Sequence, residues 1–265
     1  MKDGRGTGIE VWQAFLPFPS ESVSHLSTYL SDSERKRAAR LLDPEAGDRF
    51  RCGRGLLRHL LGRRLGRLPE ELVLKTETGG RPYLDETPGI QPSVFSISHS
   101  HDILLIAIHD SGLLGVDVER IRPNTDMAAI VRRFFRPDER EAWERLPAAD
   151  REAAFLRLWT RKEAILKALG CGLTGLDRLS VSLEEGTPHP VTWLADDPLA
   201  PGRWWCHSWV PIRAVSSPGT GACQATNEGN PSSSAAGSLA TLAFVGSPPA
   251  FTPRIWHPDF LSHRP

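Results

Sequence analysis

The chain has 265 residues, which is long enough for one large domain or two ordinary ones with a real core. Its 32 lysines and arginines balance its 32 aspartates and glutamates, so no global electrostatic field indicates nucleic acid or a membrane surface as a partner. The four cysteines show no C-x-x-C spacing, and the sequence lacks a signal peptide and any long apolar run, so we expect a reduced, cytoplasmic protein.

The first quarter of the chain predicts one strand followed by three helices. Residues 8–15 read as a strand, which LPFP ends, and a short helix is expected over 20–30. A serine followed three residues later by glutamate predicts a capping box for a helix over 31–42. An aspartate followed by proline predicts the start of a third helix, which runs from 43 to about 65.

This quarter is also rich in basic residues, which suit a polyanionic ligand or an acidic protein partner. They are Arg35, Lys36, Arg37, Arg40, Arg49, Arg51, Arg54, Arg58, Arg63 and Arg64.

Two predicted strands, 94–99 and 103–109, follow a glycine turn that carries Arg81. Arg81 is either a ligand contact or an exposed turn residue. Between the strands lie Ser98 and His99, and a hydroxyl and an imidazole at a tight turn are suitable hydrogen-bond donors to phosphate.

The segment GVDVER, residues 115–120, alternates as a strand does, so Asp117 and Glu119 project from one face. Two neighbouring carboxylates repel each other unless a cation lies between them, and paired hard oxygen ligands suit Mg²⁺. The alternative is an edge strand whose polar face lies in solvent.

The segment WTRKEAILKALG, residues 159–170, reads as the end of a helix over 150–169 that a glycine closes. Lys162 lies within its apolar arc and must either extend to water or face an anion. Glu163 and Lys167 are four residues apart, so they form either a surface ion pair or part of a site. Brought against GVDVER, this helix would add a third carboxylate.

The last third of the chain predicts strands at 179–183, 191–194, 204–210 and 238–245. Residues 215–237 form a composition break rich in Gly, Ser, Pro and Asn, which we interpret as a flexible insertion.

The two segments GVDVER and WTRKEAILKALG together resemble the signature motifs of the 4′-phosphopantetheinyl transferases, and their spacing resembles the larger, Sfp-like type. The resemblance covers roughly residues 31–181. It implies an α+β fold of two similar subdomains in a pseudo-twofold arrangement, residues 1–112 and 113–265, with a ligand cleft between them that binds coenzyme A.

The implied reaction is Mg²⁺-dependent transfer of 4′-phosphopantetheine from coenzyme A to a serine hydroxyl of an apo acyl or peptidyl carrier protein. Adenosine 3′,5′-bisphosphate is released. The resemblance implies a monomer that binds neither nucleic acid nor a membrane.

The resemblance also implies a role for individual residues. Glu163 is the general base and Lys167 the acid that assists the leaving phosphate. The implied metal ligands are Asp117, Glu119 and Glu163. The residues implied in coenzyme A binding are Arg37, Arg49, Arg81, Ser98, His99, Lys162 and Lys167.

Two other functions are compatible with the residues alone. One is a coenzyme A-binding regulator without catalysis, and the other is a Mg²⁺-dependent nucleotide phosphohydrolase. A third interpretation, in which the charged residues form purely structural ion pairs, predicts that Asp117→Ala lowers stability without affecting any activity.

Overall fold

The structure is a computed structural model that describes residues 8–77, 80–85, 93–184, 191–193, 204–212, 237–245, 253–257 and 261. It confirms the predicted mixed α+β class. The helices are α1 (Ser20–Thr28), α2 (Asp32–Ala39), α3 (Pro44–Leu65), α4 (Met127–Phe134), α5 (Pro137–Glu144) and α6 (Arg151–Leu169). The strands are β1 (Glu10–Phe15), β2 (Leu74–Thr76), β3 (Pro82–Leu84), β4 (Val94–Ser100), β5 (Ile103–His109), β6 (Leu114–Arg120), β7 (Leu179–Val181), β8 (Val191–Trp193), β9 (Trp204–Trp209), β10 (Ser238–Val245) and β11 (Arg254–Ile255).

Two sheets carry most of the strands. One has the order β11-β1-β5-β4 and the other the order β6-β10-β9. Alternate residues of β5 face opposite ways, as the period of a strand requires. Leu104, Ile106 and Ile108 pack with leucines of α3, whereas Ile103 and Leu105 join a core shared with β6 and β10. The two sheets therefore pack against each other, with α3 covering the first and α6 the second.

The local signals that predicted the helices are confirmed. The Ser31 hydroxyl accepts from Glu34 N while the Glu34 carboxylate accepts from Ser31 N, which completes the capping box of α2. The Asp43 carboxylate caps α3 by accepting from Glu45 N. Gly170 ends α6 in the left-handed conformation, with φ of 73°.

The last described strand pairs with the first, and the predicted division into residues 1–112 and 113–265 stays a prediction. Strand β11 pairs in parallel with β1, with Trp12 opposite Arg254, and Trp256 packs in the core beneath α3. This pairing joins the two ends of the chain, which no local sequence signal indicates. The pseudo-twofold relation stays a prediction, and the insertion predicted at 215–237 lies outside the described residues except for Gly237.

Among the described helices, none combines the length and apolar character that a membrane crossing requires. The described cysteines, Cys52, Cys171 and Cys206, are free thiols.

His59, on α3, is fully buried and stacks on Tyr29, and its ring nitrogens have no hydrogen-bond partner among the described residues. Burial lowers the pKa of His59 to about 4 from its ordinary 6.5. Between pH 6.5 and pH 4, His59 is therefore protonated in the unfolded state but not in the folded state. The free energy of unfolding declines as the pH falls through this range, by up to about 3 kcal/mol. Urea denaturation from pH 7 to pH 4 should show this decline in the wild type and a smaller one in His59→Gln. Equal declines would contradict the prediction.

Candidate active site

The site lies where β4, at the edge of one sheet, runs beside β6, at the edge of the other. Alternate residues of β4, namely Ser96, Ser98 and Ser100, face β6, and we call them the serine row. The hydroxyl of Ser98 donates to the Asp117 carboxylate at 2.9 Å, and that of Ser100 donates to the Glu119 carboxylate at 2.9 Å. The two acidic side chains of GVDVER therefore project toward the junction between the sheets, as the strand period predicted.

Gly115 brings α6 onto this strand. A Cβ atom at Gly115 would lie 1.8 Å from the carbonyl oxygen of Ala164, so only glycine permits so close an approach. Because Ala164 lies between Glu163 and Lys167 in the sequence, the contact fixes the part of α6 that carries both. The glycine that opens the first motif and the helix of the second are therefore directly in contact.

Asp117 is the centre of the charged cluster. Its side chain is 1 % exposed, and its Oδ1 accepts from Lys167 Nζ at 2.6 Å as well as from Ser98. Its Oδ2 is buried and has no hydrogen-bond partner among the described residues. A buried, unpartnered carboxylate oxygen is costly unless a cation or a water molecule binds to it.

Glu163 and Glu119 lie close enough to Asp117 for its charge to affect their pKa values. Burial, the Asp117 charge and the Glu119 charge raise the pKa of Glu163 to about 7, against the opposing effect of Lys167. Trp159, one turn earlier on α6, acts in the opposite direction and lowers the pKa of Glu163. Burial and the Asp117 charge also raise the pKa of Glu119. Glu163 and Glu119 therefore lie where burial and neighbouring negative charge disfavour their ionised forms.

A cavity of about 650 Å³ opens beside the cluster. Eight of the ten site residues predicted from the sequence line it, whereas Glu163 and Lys162 do not. The eight are Arg37, Arg49, Arg81, Ser98, His99, Asp117, Glu119 and Lys167.

Part of the cavity lining is basic. Arg37, Arg49 and Arg54 line it, and the guanidinium groups of Arg37 and Arg54 lie 5.2 and 5.7 Å from the centre of the Phe50 ring. Arg49 is also held by Asp43, at 2.9 Å. Arg54 was not singled out in the sequence, because nothing local distinguishes it from the other arginines of α3.

Arg81 lines the cavity near the C-terminal end of α6. It lies just before β3, in the β2–β3 hairpin, and its Nη1 donates to the carbonyl of Ala168 at 3.0 Å. The hairpin is therefore tied to the helix that carries Glu163 and Lys167.

The contacts of Ser98 do not support the expectation that its hydroxyl binds the pyrophosphate. A serine hydroxyl has one donor position and two acceptor positions. Ser98 donates to Asp117 and accepts from Lys167 Nζ at 2.7 Å and from Val118 N at 3.3 Å. All three positions are used within the protein. His99 still lines the cavity, and burial together with the Lys167 and Arg49 charges lowers its pKa.

The contacts of Lys162 give no support to the prediction that it binds a phosphate of coenzyme A, and it does not line the cavity. Its side chain is fully buried, and its Nζ lies 2.7 Å from the Glu139 carboxylate and donates to the carbonyls of Leu176 and Leu179, each at 2.7 Å. The anion that Lys162 faces is therefore the carboxylate of Glu139 rather than a phosphate of a ligand. Burial lowers the pKa of Lys162 and raises that of Glu139, and their mutual attraction opposes both shifts.

We predict that Lys162→Met lowers the free energy of unfolding by about 3–5 kcal/mol, because it leaves the Glu139 carboxylate buried without its counter-ion. The affinity for coenzyme A should stay within about twofold of wild type. Urea denaturation and isothermal titration calorimetry measure the two quantities. The double variant Lys162→Met/Glu139→Gln is the control, and it should recover part of the lost stability. A large loss of coenzyme A affinity in a folded Lys162→Met protein would restore the phosphate-binding interpretation.

The residues of the cluster fit a divalent cation. Mg²⁺ is commonly held by one or two carboxylates together with substrate phosphates and water. Asp117 Oδ2 is an oxygen without a hydrogen-bond partner in the part of the chain that the structure describes. Within the described part of the chain, no three acidic, histidine or cysteine side chains converge as a metal-binding group. The geometry suits an ion that completes its shell from the substrate, and ligation by all three carboxylates stays a prediction.

Comparisons with known proteins agree with this site. The model of the 4′-phosphopantetheinyl transferase superfamily matches residues 113–211, which include both motifs. The 4′-phosphopantetheinyl transferase HetI of Nostoc sp. is 35 % identical over 180 residues, which is 68 % of this chain and 76 % of HetI. A putative 4′-phosphopantetheinyl transferase of Synechocystis sp. is 36 % identical over 63 % of this chain and 66 % of its own length. The 4′-phosphopantetheinyl transferase Sfp of Bacillus subtilis is 28 % identical over 64 % of this chain and 73 % of Sfp.

The fold, the charged cluster and these relatives define the class of the protein as a transferase enzyme, as predicted. The chain belongs to the 4′-phosphopantetheinyl transferase superfamily, which confirms the resemblance that its two motifs carry.

Proposed function

We propose that the protein transfers the 4′-phosphopantetheine group of coenzyme A to a serine hydroxyl of an apo acyl or peptidyl carrier protein, with Mg²⁺ as the metal ion. The observation that carries the proposal is that arginines of α2 and α3 and the Asp117–Lys167 cluster line the same cavity. Coenzyme A bears its 3′-phosphate and its pyrophosphate at separate places, so it needs cationic groups at both.

Arg37 and Arg49 hold the 3′-phosphate in this proposal, with Arg54 as a third cation that lines the same cavity. Arginine donors suit phosphate because the guanidinium presents several N–H groups in a fixed plane. His99 and Lys167 contact the pyrophosphate, and Arg81 contacts the adenine or a phosphate.

In the reaction, the serine oxygen of the carrier protein forms a bond to the β-phosphorus, and the bond from that phosphorus to the bridging oxygen breaks. Glu163 takes the serine proton, directly or through a water molecule, and a pKa of about 7 suits a base that works near neutral pH. Lys167 stabilises and protonates the leaving phosphate of adenosine 3′,5′-bisphosphate. Asp117, Glu119 and Glu163 would hold Mg²⁺, which would supply positive charge to neutralise the pyrophosphate. We expect the protein to act as a monomer in the cytoplasm.

The test is to incubate the protein with coenzyme A, Mg²⁺ and apo carrier proteins of the acyl and peptidyl classes, and to weigh the carriers by intact mass spectrometry. We expect one phosphopantetheine per carrier, one adenosine 3′,5′-bisphosphate per modified carrier, and no reaction with EDTA. A matched incubation with carrier Ser→Ala should stay unmodified.

Two other outcomes would replace the proposal. Release of phosphate from coenzyme A without modification of any carrier would identify a phosphohydrolase. Tight binding of coenzyme A with neither reaction would identify a regulator.

A further inference from the structure

The serine row joins two strands that share no sheet. β4 belongs to the four-stranded sheet and β6 to the three-stranded sheet. The backbone N–H groups of alternate β6 residues instead donate to serine hydroxyls. Val116 N, Val118 N and Arg120 N lie 3.0, 3.3 and 3.2 Å from the hydroxyls of Ser96, Ser98 and Ser100. Each serine thus satisfies a donor on the edge of β6 that would otherwise lack a partner.

The three serines differ in what they donate to. Ser98 donates to Asp117 and Ser100 donates to Glu119, whereas Ser96 contacts no carboxylate among the described residues. All three are buried, at 4–8 % exposure. A buried hydroxyl that accepts from one atom and donates to another is held in one rotamer, and it fixes the group that accepts from it.

We propose that Ser98 and Ser100 are positioning residues that hold the carboxylates of Asp117 and Glu119 for metal binding. The strand alone brings both side chains to one face, but it leaves their rotamers free. The two hydroxyls occupy one oxygen of each carboxylate, Oδ1 of Asp117 and Oε2 of Glu119, and leave the other oxygen of each for a cation. Ser100 is the better residue to replace in a test, because Ser98 also accepts a hydrogen bond from Lys167.

This inference rests on the metal requirement of the proposed function, so its readout is metal binding itself. The probe is Mn²⁺, titrated into the full-length protein saturated with coenzyme A, with free Mn²⁺ measured by electron paramagnetic resonance. Groups that orient metal ligands typically contribute 10- to 100-fold to metal affinity. We expect Ser100→Ala to raise the Mn²⁺ dissociation constant about tenfold.

Ser96→Ala is the matched control. It removes the same kind of bond to β6 but no bond to a carboxylate, so we expect the Mn²⁺ dissociation constant to stay within about twofold of wild type. Both variants should lower the melting temperature by a similar few degrees, because each leaves one backbone N–H without its partner. If Ser100→Ala does not fold, Ser98→Ala is the second variant, with the same expected loss of Mn²⁺ affinity.

Equal Mn²⁺ affinities of the Ser100→Ala and Ser96→Ala proteins would overturn the inference, and so would a wild-type protein that binds no Mn²⁺. Carrier modification is measured on the same wild-type sample. If carriers are modified but Mn²⁺ affinity is independent of Ser100, the inference fails and the proposed function stands. If Mn²⁺ affinity depends on Ser100 but no carrier is modified, the proposed function fails and the inference stands.

Discussion

Replacing Asp117 by asparagine is expected to reduce phosphopantetheine transfer about 10³-fold without lowering the melting temperature. The asparagine oxygen still accepts from Lys167 and Ser98, so the contacts at Oδ1 survive. The Oδ2 atom is replaced by an uncharged amide nitrogen, which does not attract a cation. The attraction between a carboxylate and a metal ion contributes several kcal/mol in a site of this kind. Removing a charge that raises the pKa of Glu163 and of Glu119 also relieves repulsion within the cluster.

The measurement is the initial rate of carrier modification by mass spectrometry, together with a thermal melt. Glu141→Gln is the control, since Glu141 pairs with Arg145 on an exposed face and its replacement should leave both rate and melting temperature unchanged. A rate for Asp117→Asn within tenfold of wild type would contradict the role given to this carboxylate. A folded variant that loses stability but keeps its activity would favour a purely structural ion pair.

Replacing Gly115 by alanine is expected to lower the free energy of unfolding by about 3 kcal/mol or more and to reduce transfer at least about 10²-fold. The new Cβ would lie 1.8 Å from Ala164 O and 2.9 Å from Ala168 N, so α6 must move away from β6. Because α6 carries Glu163 and Lys167, the shift separates both from Asp117. A displacement of about 1 Å in a catalytic group costs on the order of 10²-fold in rate.

Urea denaturation and the transfer rate measure these effects, and Gly53→Ala controls for the effect on stability of adding a methyl group at a buried glycine. Its Cβ would lie 3.5 Å from Leu104 Cδ1 and 3.6 Å from Ile97 Cδ1, at ordinary contact distance from side chains of β5 and β4. That variant should gain up to about 1 kcal/mol, since alanine restricts the unfolded chain and suits a helix. Equal stability of the two variants would show that the contact between β6 and α6 is looser than described.

The local signals of the sequence predicted the elements that carry the site. Strand periodicity placed Asp117 and Glu119 on one face, and the terminal glycine at 170 correctly ended α6. These signals work because each depends on neighbours within a few residues along the chain.

The contacts that the sequence does not predict join residues that lie far apart along the chain. The sequence does not indicate the ion pair of Lys162 with Glu139, because Glu139 lies on α5 and no spacing rule links the two. The role of the serine row was missed for the same reason, since its partners lie twenty residues away on β6. Strand β11 was missed because its partner, β1, begins at the other end of the chain.

The most direct test of the site is a crystal structure of the protein with coenzyme A and Mn²⁺, in which anomalous scattering locates the metal ion. Our account predicts one Mn²⁺ ion bound to the free oxygen of Asp117 and to the pyrophosphate, with the 3′-phosphate near Arg37 and Arg49. Coenzyme A bound elsewhere, or bound in this cavity with the Mn²⁺ ion away from Asp117, would contradict it.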